Sequence, residues 1–260
     1  MTTQLFYFSG TGNSLELARD LAANLEDTEL VSIPAVSAES IDINTDTVGL
    51  VFPVYAWGVP RIIVDFVKKL KFKGNEYVFA VITCGGQPAG TLPQLAGLLK
   101  ARGAVLKAGF AISQPSNYIL WNEAPPDEKQ AAMFARKAER MPGILEVIRD
   151  RKSMPLEQGS AVANLVLGQI YKLSLKGFPT GDKSFWVTEQ CNNCGLCVRL
   201  CPRANISLES GRLQWHGNCE MCLSCIQWCP REAVQHKKKT IGRKRYHHPG
   251  VKMSDLWKRD

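Results

Sequence analysis

The chain has 260 residues, of which 45% are hydrophobic and 22% charged, and its 32 Lys and Arg against 24 Asp and Glu give a formal net charge of +8. This is globular composition, which excludes collagen-like, low-complexity and wholly disordered classes, and the length suits one large domain or two modest ones. The longest apolar run, 161–175, is interrupted by Asn164, Gln169 and Lys172. It falls short of the roughly 20 apolar residues of a membrane span, and the first residues carry no basic leader, so a cytoplasmic protein without a span is expected.

In chain order, strand-like runs at 4–8, 29–33, 47–54, 77–84 and 104–114 alternate with helical periodicity at 14–25, 60–70, 91–102 and 126–152. This is the pattern of βαβ units on a parallel sheet. The runs Val48 to Phe52 and Val78 to Ile82 are continuously apolar, as strands covered on both faces should be, and the fold class that follows is α/β with a doubly wound parallel sheet. Ligands of such sheets bind at the carboxyl ends of the strands. Residues 159–175 place Val162, Leu165, Val166, Ile170 and Leu173 at helical spacing, which predicts a connecting helix docked by that stripe, followed by a turn-rich boundary at 177–181. The predicted division is a domain at 1–155, a linker at 156–180 and a small α+β module at 181–260.

That last module holds eight of the nine cysteines and most of the charge, with 14 Lys and Arg against 7 Asp and Glu from Gly181 onward. Cys191, Cys194, Cys197 and Cys201-Pro202 have the same spacing as Cys219, Cys222, Cys225 and Cys229-Pro230. The spacing is that of bacterial two-cluster ferredoxins, in which three thiolates of each run hold one 4Fe-4S cluster and the fourth holds the other. The resemblance implies one cluster on Cys191, Cys194, Cys197 and Cys229, and a second on Cys219, Cys222, Cys225 and Cys201. Paired structural zinc sites are the alternative, but they rarely use three consecutive thiolates with a Cys-Pro fourth. Two anionic clusters would offset much of the basic charge, so Lys237 to Lys239 and Arg243 to Arg245 read as a solvated or cluster-facing tail, with no nucleic-acid partner expected.

At the other end, Ser9, Gly10, Thr11, Gly12, Asn13 and Ser14 follow the first strand and open the first helix. Glycines let the backbone approach an anion, and helix N–H groups and hydroxyls point at it. The loop has no Lys and is neither a Walker loop nor a dinucleotide fingerprint, which suits a monophosphate held by neutral donors. Here the N-terminal half resembles flavodoxin, and the whole chain resembles the fusion family that joins a flavodoxin-like domain to a two-cluster ferredoxin. The resemblance implies that Ser9 to Ser14 hold the phosphate of FMN. It puts Pro53, Tyr55, Ala56, Trp57 and Gly58 against one ring face, with Tyr55 or Trp57 stacking, and Thr83, Cys84, Gly85 and Gly86 at the ring's polar edge. Trp57 could equally be a plug under the third strand, Cys84 reads as a buried small residue, and Asn117 and Tyr118 either line the flavin or fix the 117–126 loop.

All four histidines lie in the cysteine-rich module, which argues against hydrolytic triads in the first domain. What remains is redox chemistry. The expected function is electron transfer between the clusters and FMN, with a redox partner protein such as a ferredoxin or reductase. The alternative is a reductase whose small-molecule acceptor binds over the flavin. Position in the chain predicts that the cluster on Cys191, Cys194, Cys197 and Cys229, adjoining the linker, lies nearer the flavin.

Overall fold

The computed structural model describes residues 2–256; Met1 and 257–260, the end of the predicted C-terminal module, lie outside the described residues. Strands β1 (Thr3–Tyr7), β2 (Thr28–Ser32), β3 (Thr47–Pro53), β4 (Tyr77–Cys84) and β5 (Leu106–Ser113) form one parallel sheet in the order β2-β1-β3-β4-β5. This is the flavodoxin-like order, in which the chain reverses direction across the sheet between β1 and β3 and leaves a crevice at their carboxyl ends.

The period-2 alternation of the strands explains why helices cover both faces. Phe6, Leu50, Phe52, Val78, Ala80 and Ile82 point to one side and pack on α2 (Arg61–Lys69) and α3 (Thr91–Lys100). Leu5, Tyr7, Val51, Phe79, Val81 and Phe110 point to the other and pack on α1 (Asn13–Asn24) and α4 (Asp127–Arg149). Each fully buried Leu or Phe contributes about 1.5–3 kcal/mol, so these two layers supply most of the domain's driving force. The predicted elements of this domain are all present, with ends displaced by a few residues. An additional two-residue parallel pair, Ile41–Asp42 with Leu70–Lys71, carries no apolar run by which it could be foreseen.

The linker docks, but not by the predicted stripe. Residues 154–159 run extended along the sheet edge, with Met154 and Glu157 N–H groups donating to Lys107 and Gly109 carbonyls at 2.8 and 3.0 Å. Helix α5 (Ala161–Gly177) then starts at a Ser160 cap, whose hydroxyl accepts from the Ala163 N–H at 3.3 Å. Val162, Leu165 and Leu173 are 73%, 69% and 71% exposed, and Val166 and Ile170 are exposed as well. The periodicity is real, but the stripe faces solvent. Tyr171 on the other face is the buried anchor: its hydroxyl donates to the Val59 carbonyl at 2.7 Å, and its ring fills the space a Gly58 side chain would need.

In the C-terminal module, β6 (Phe185–Val187) pairs antiparallel with β9 (Val234–His236), and β7 (Ile206–Glu209) with β8 (Arg212–Trp215). Short helices α6 (Leu196–Leu200) and α7 (Ser224–Gln227) lie within the two cysteine runs. Leu200, Trp228 and Val251 enter the α1/α4 core and Cys222 enters the α2/α3 core, so the two parts share their apolar interior. No helix among the described residues is long and apolar enough to cross a membrane.

If Tyr171 anchors α5, Tyr171→Ala should cost about 3 kcal/mol, the low end for loss of a buried aromatic ring. Amide exchange should quicken in α5 and the 55–59 turn. Unchanged exchange in α5 would show that the helix is held elsewhere.

Candidate functional site

The loops after β1, β3, β4 and β5 surround a cavity of about 300 Å³. Gly12, with φ +102°, turns the chain into α1, and no side chain caps that helix, which leaves first-turn N–H groups available at the cavity wall. The Ser14 and Thr83 hydroxyls share a hydrogen bond at 2.8 Å, and the Asn117 amide donates to the Thr11 hydroxyl at 2.7 Å. Asn13 donates to the Pro115 carbonyl at 2.9 Å. Three loops distant in sequence are thereby held together. Among the described residues, no charged side chain lines the cavity, so an anion there would meet helix dipole and neutral donors alone. Among the described residues, the Tyr55 hydroxyl and both ends of the Gln114 amide are buried in its wall without a partner.

Of the predicted ligand-binding residues, all line this cavity except Gly12 and Gly58. Gly12 acts through its backbone, its N–H donating to the Ser9 hydroxyl at 3.1 Å. Gly58 closes a tight turn with Tyr55 through paired 3.0 Å backbone bonds. Inside that turn Ala56 and Trp57 have φ of +47° and +64°, as a type I′ turn requires. The turn sets the Trp57 ring 5.9 Å from that of Trp121 at the cavity mouth. The Cys84 thiol donates to the Gly86 carbonyl at 3.0 Å, and burial pushes its pKa up to about 11, so it is not a nucleophile near neutrality. The sequence placed Gln114 at the end of the last strand, beside the loop it offers as a ligand site, but did not single out Gln87, Ser174, Phe178 or Met221, which also line the wall. Ser174 and Phe178 arrive from the end of α5, and Met221 from inside the second cysteine run.

Strand pairing in the C-terminal module decides which cysteines meet. Because β6 pairs with β9, the loop after β6 lies beside the end of the second run, and Cys191, Cys194, Cys197 and Cys229 line one small pocket. Because β7 pairs with β8, Cys201 lies in the electrostatic surroundings of Cys219, Cys222 and Cys225. Cys201 and Cys229 each accept a backbone N–H four residues on, from Asn205 at 3.2 Å and Ala233 at 3.3 Å, a matched arrangement in the two runs. Burial pushes the Cys197 thiol up to about 11 and the Cys222 thiol up to about 12, and raises Cys225 well above its ordinary value. Ligation by these groups must therefore release protons. Among the described residues no three such side chains close around a single ion; a cubane takes its thiolates at four separated corners, a wider spacing than a single ion needs.

The two sites abut. A Cβ on Gly10 would stand 3.0 Å from the Cys222 carbonyl and 3.3 Å from both the Ser224 and Tyr55 hydroxyls. The Gly10 carbonyl accepts from the Ser224 hydroxyl at 2.8 Å and the Trp228 indole at 3.0 Å. On the other side of the run, Arg61 donates to the Cys219 carbonyl at 3.1 Å, and the buried Glu220 accepts the Ile62 N–H at 3.2 Å. Burial raises the Glu220 pKa to about 7, against the lowering pull of the Ile62 N–H and Arg203. The residue that presents Met221 to the cavity wall is bent at a cost. Met221 and Leu223 have φ of +54° and +61°, where the first run has Asn193 and Gly195, types suited to that conformation. The expectation that the Cys191 run adjoins the cavity is thus corrected: Cys219 to Cys225 does. Proximity in sequence to the linker misled, because the chain carries the second run back across the phosphate loop.

A strap over 237–251 completes the closure. The Tyr246 hydroxyl donates to Asn13 Oδ1 at 2.7 Å, the His248 N–H donates to the Thr11 carbonyl at 2.8 Å, and His247 stacks on Trp228 at 4.2 Å. Gly10→Ala should therefore destabilise the protein by about 1–3 kcal/mol by forcing the second run off the phosphate loop. Gly86→Ala, with nothing within 4 Å of the added carbon, should leave the melting temperature unchanged. Equal effects of the two would show that the junction is not tightly packed.

Residues 185–207, which contain the first cysteine run, match the 4Fe-4S binding domain family. No curated protein matches the chain. Among solved structures, a flavoprotein of Lactobacillus acidophilus in complex with FMN is similar over 42% of this chain and 92% of its own, at 13% identity and a TM-score of 0.36. The two-electron reduced flavodoxin of Megasphaera elsdenii is similar over 42% and 85%, at 19% identity and a TM-score of 0.34. An azoreductase of Bacillus anthracis covers 64% of this chain and all of its own, at 10% identity and a TM-score of 0.34. The strand order of the sheet is that of a flavodoxin-like domain, and it is joined to a small module whose residues 185–207 match the 4Fe-4S binding domain family.

Proposed function

We propose that the protein is an iron-sulfur flavoprotein that carries low-potential electrons between two 4Fe-4S clusters and FMN. The observation that carries this reading is the junction at Gly10, where the Cys219 to Cys225 run, the Ser9 to Ser14 loop and Tyr55 share one packed contact. When bound, a flavin handles one or two electrons and each cluster one. Cys191, Cys194, Cys197 and Cys229 would hold the outer cluster, near the surface where Cys194 is exposed. Cys201, Cys219, Cys222 and Cys225 would hold the inner one, in a largely buried setting. Hydroxyls and N–H groups from Ser9 to Ser14 would take the FMN phosphate, and the unpartnered Gln114 amide gives the cavity a donor and an acceptor for a polar ring edge. Met221, 3.8 Å from the Cys219 thiol, and Tyr55 would stand between the inner cysteines and the cavity they line. The protein's partner on this reading is a soluble redox protein that docks at the exposed Cys194 side.

One observation favours a second reading. Trp121 is 59% exposed, and its ring stands 5.4 Å from that of Tyr118 over the cavity mouth, a surface suited to a planar small-molecule acceptor and hence to a reductase. Reduced protein mixed with acceptors separates the two: a carrier reduces proteins, and a reductase turns over a small molecule saturably.

Anaerobically purified protein should hold about eight iron atoms and one flavin. Cys229→Ser should perturb the same electron paramagnetic resonance signal as Cys194→Ser, and Cys201→Ser the same as Cys222→Ser. A signal grouping Cys229 with Cys219 and Cys222 would contradict the assignment. Ser14→Ala and Thr11→Ala should each cost about 1–3 kcal/mol of FMN affinity through loss of a bond to a charged group. Riboflavin bound as tightly as FMN would refute the phosphate-loop assignment.

A further inference from the structure

Arg245 stands apart from the other basic residues of the strap. Lys237, Lys238, Lys239 and Lys244 are exposed, and Lys244 pairs with Asp127 at 3.0 Å. Arg245 instead turns inward and makes no ion pair among the described residues. Its Nε and Nη1 are buried and without a hydrogen-bond partner, and its Nη2 donates to the Val234 carbonyl at 3.4 Å. Orphaned N–H groups on a buried guanidinium are costly, because a cation out of water needs compensation.

Two contacts fix where those groups sit. Val234 lines the pocket formed by Cys191, Cys194, Cys197 and Cys229. The neighbouring Tyr246 N–H donates at 2.8 Å to the side chain of Gln227, which lies between Cys225 and Cys229. Burial presses the Arg245 pKa below its ordinary value, and Glu232, Cys229 and Cys225 pull it back up. Cys225 belongs to the inner set of four cysteines and Cys229 to the outer one. The guanidinium thus lies at Val234 beside the outer set and within electrostatic reach of both sets, with two buried donors that have no acceptor among the described residues.

We propose that Arg245 is the internal counter-cation of the paired clusters, donating from Nε and Nη1 to sulfur and raising the reduction potential of the cluster pair. This rests on the two-cluster reading above. The physical reason is direct: reduction adds negative charge, a buried cation beside the sulfurs favours the reduced form, and N–H bonds to sulfur act in the same direction. Arg suits the role better than Lys because its planar fork presents several donors and it keeps its charge when buried. Its place on the strap adds a consequence, since the next residues, Tyr246 and His248, hold the phosphate loop.

The test is a redox titration of the full-length, anaerobically purified protein, followed by electron paramagnetic resonance, with iron and sulfide contents measured on each sample. Arg245→Gln should lower the cluster reduction equilibrium about tenfold, or about 59 mV for one electron. Arg245→Lys should fall between it and the wild type, and Lys244→Gln, which removes an exposed charge next door, should change nothing. Potentials unchanged in fully loaded Arg245→Gln, or shifted equally by Lys244→Gln, would overturn the proposal and leave the cluster reading intact. Should Arg245→Gln fail to assemble, Arg245→Lys decides: a lowered potential supports the proposal and an unchanged one refutes it. A wild-type protein without iron and sulfide would instead overturn the cluster reading itself.

Discussion

A backbone carbonyl in the phosphate loop ties the two halves of the protein together. Gly10 O accepts from Ser224 and Trp228, both in the second cysteine run, while the absence of a Gly10 side chain lets the Cys222 carbonyl come within contact of the phosphate loop. The Arg61 contact, the strap and the shared apolar interior act beside this approach. With a larger residue at position 10 the second run would stand off, Met221 would leave the cavity wall, and the strap contacts to Thr11 and Asn13 would be strained. Side-chain hydrogen bonds to a buried carbonyl are worth about 1 kcal/mol each when made and more when broken, which makes the junction cooperative with the packing around it.

The C-terminal module solves a different problem. It is too small to supply much apolar core, and its β6–β9 and β7–β8 pairs are only three and four residues long. Those pairs bring together cysteines that the sequence keeps apart, and the module borrows the apolar interior of its neighbour through Leu200, Trp228 and Val251. Burial pushes the Cys197, Cys222 and Cys225 thiols toward the protonated form, so cluster loading would be linked to stability: binding would stabilise the fold, and the fold places the ligands.

Local motifs were legible and long-range closures were not. Cysteine spacing and the Ser9 to Ser14 loop are written in contiguous residues, and the alternation that buries β3 and β4 on both faces is visible in any sequence window. By contrast, Ser174, Phe178 and Met221 reach the cavity through contacts that no window contains. Periodicity found α5 but could not say which side of it docks. The five apolar residues lie on the exposed face, while Tyr171, one aromatic residue with a hydroxyl to satisfy, makes the attachment. The nearer cysteine run was misjudged for the same reason, since distance along the chain was used where the return of the strap and of α7 sets distance in space.

The central claim is that the cysteine-rich module and the cavity form one electron path inside one molecule. Rapid mixing of oxidised, fully loaded protein with dithionite, at a series of protein concentrations, tests it most directly. The account predicts that cluster bleaching precedes flavin reduction and that the second phase has a rate independent of protein concentration, lost when the clusters are removed. A flavin phase that scales with protein concentration, or persists unchanged without clusters, would show two carriers that merely share a chain.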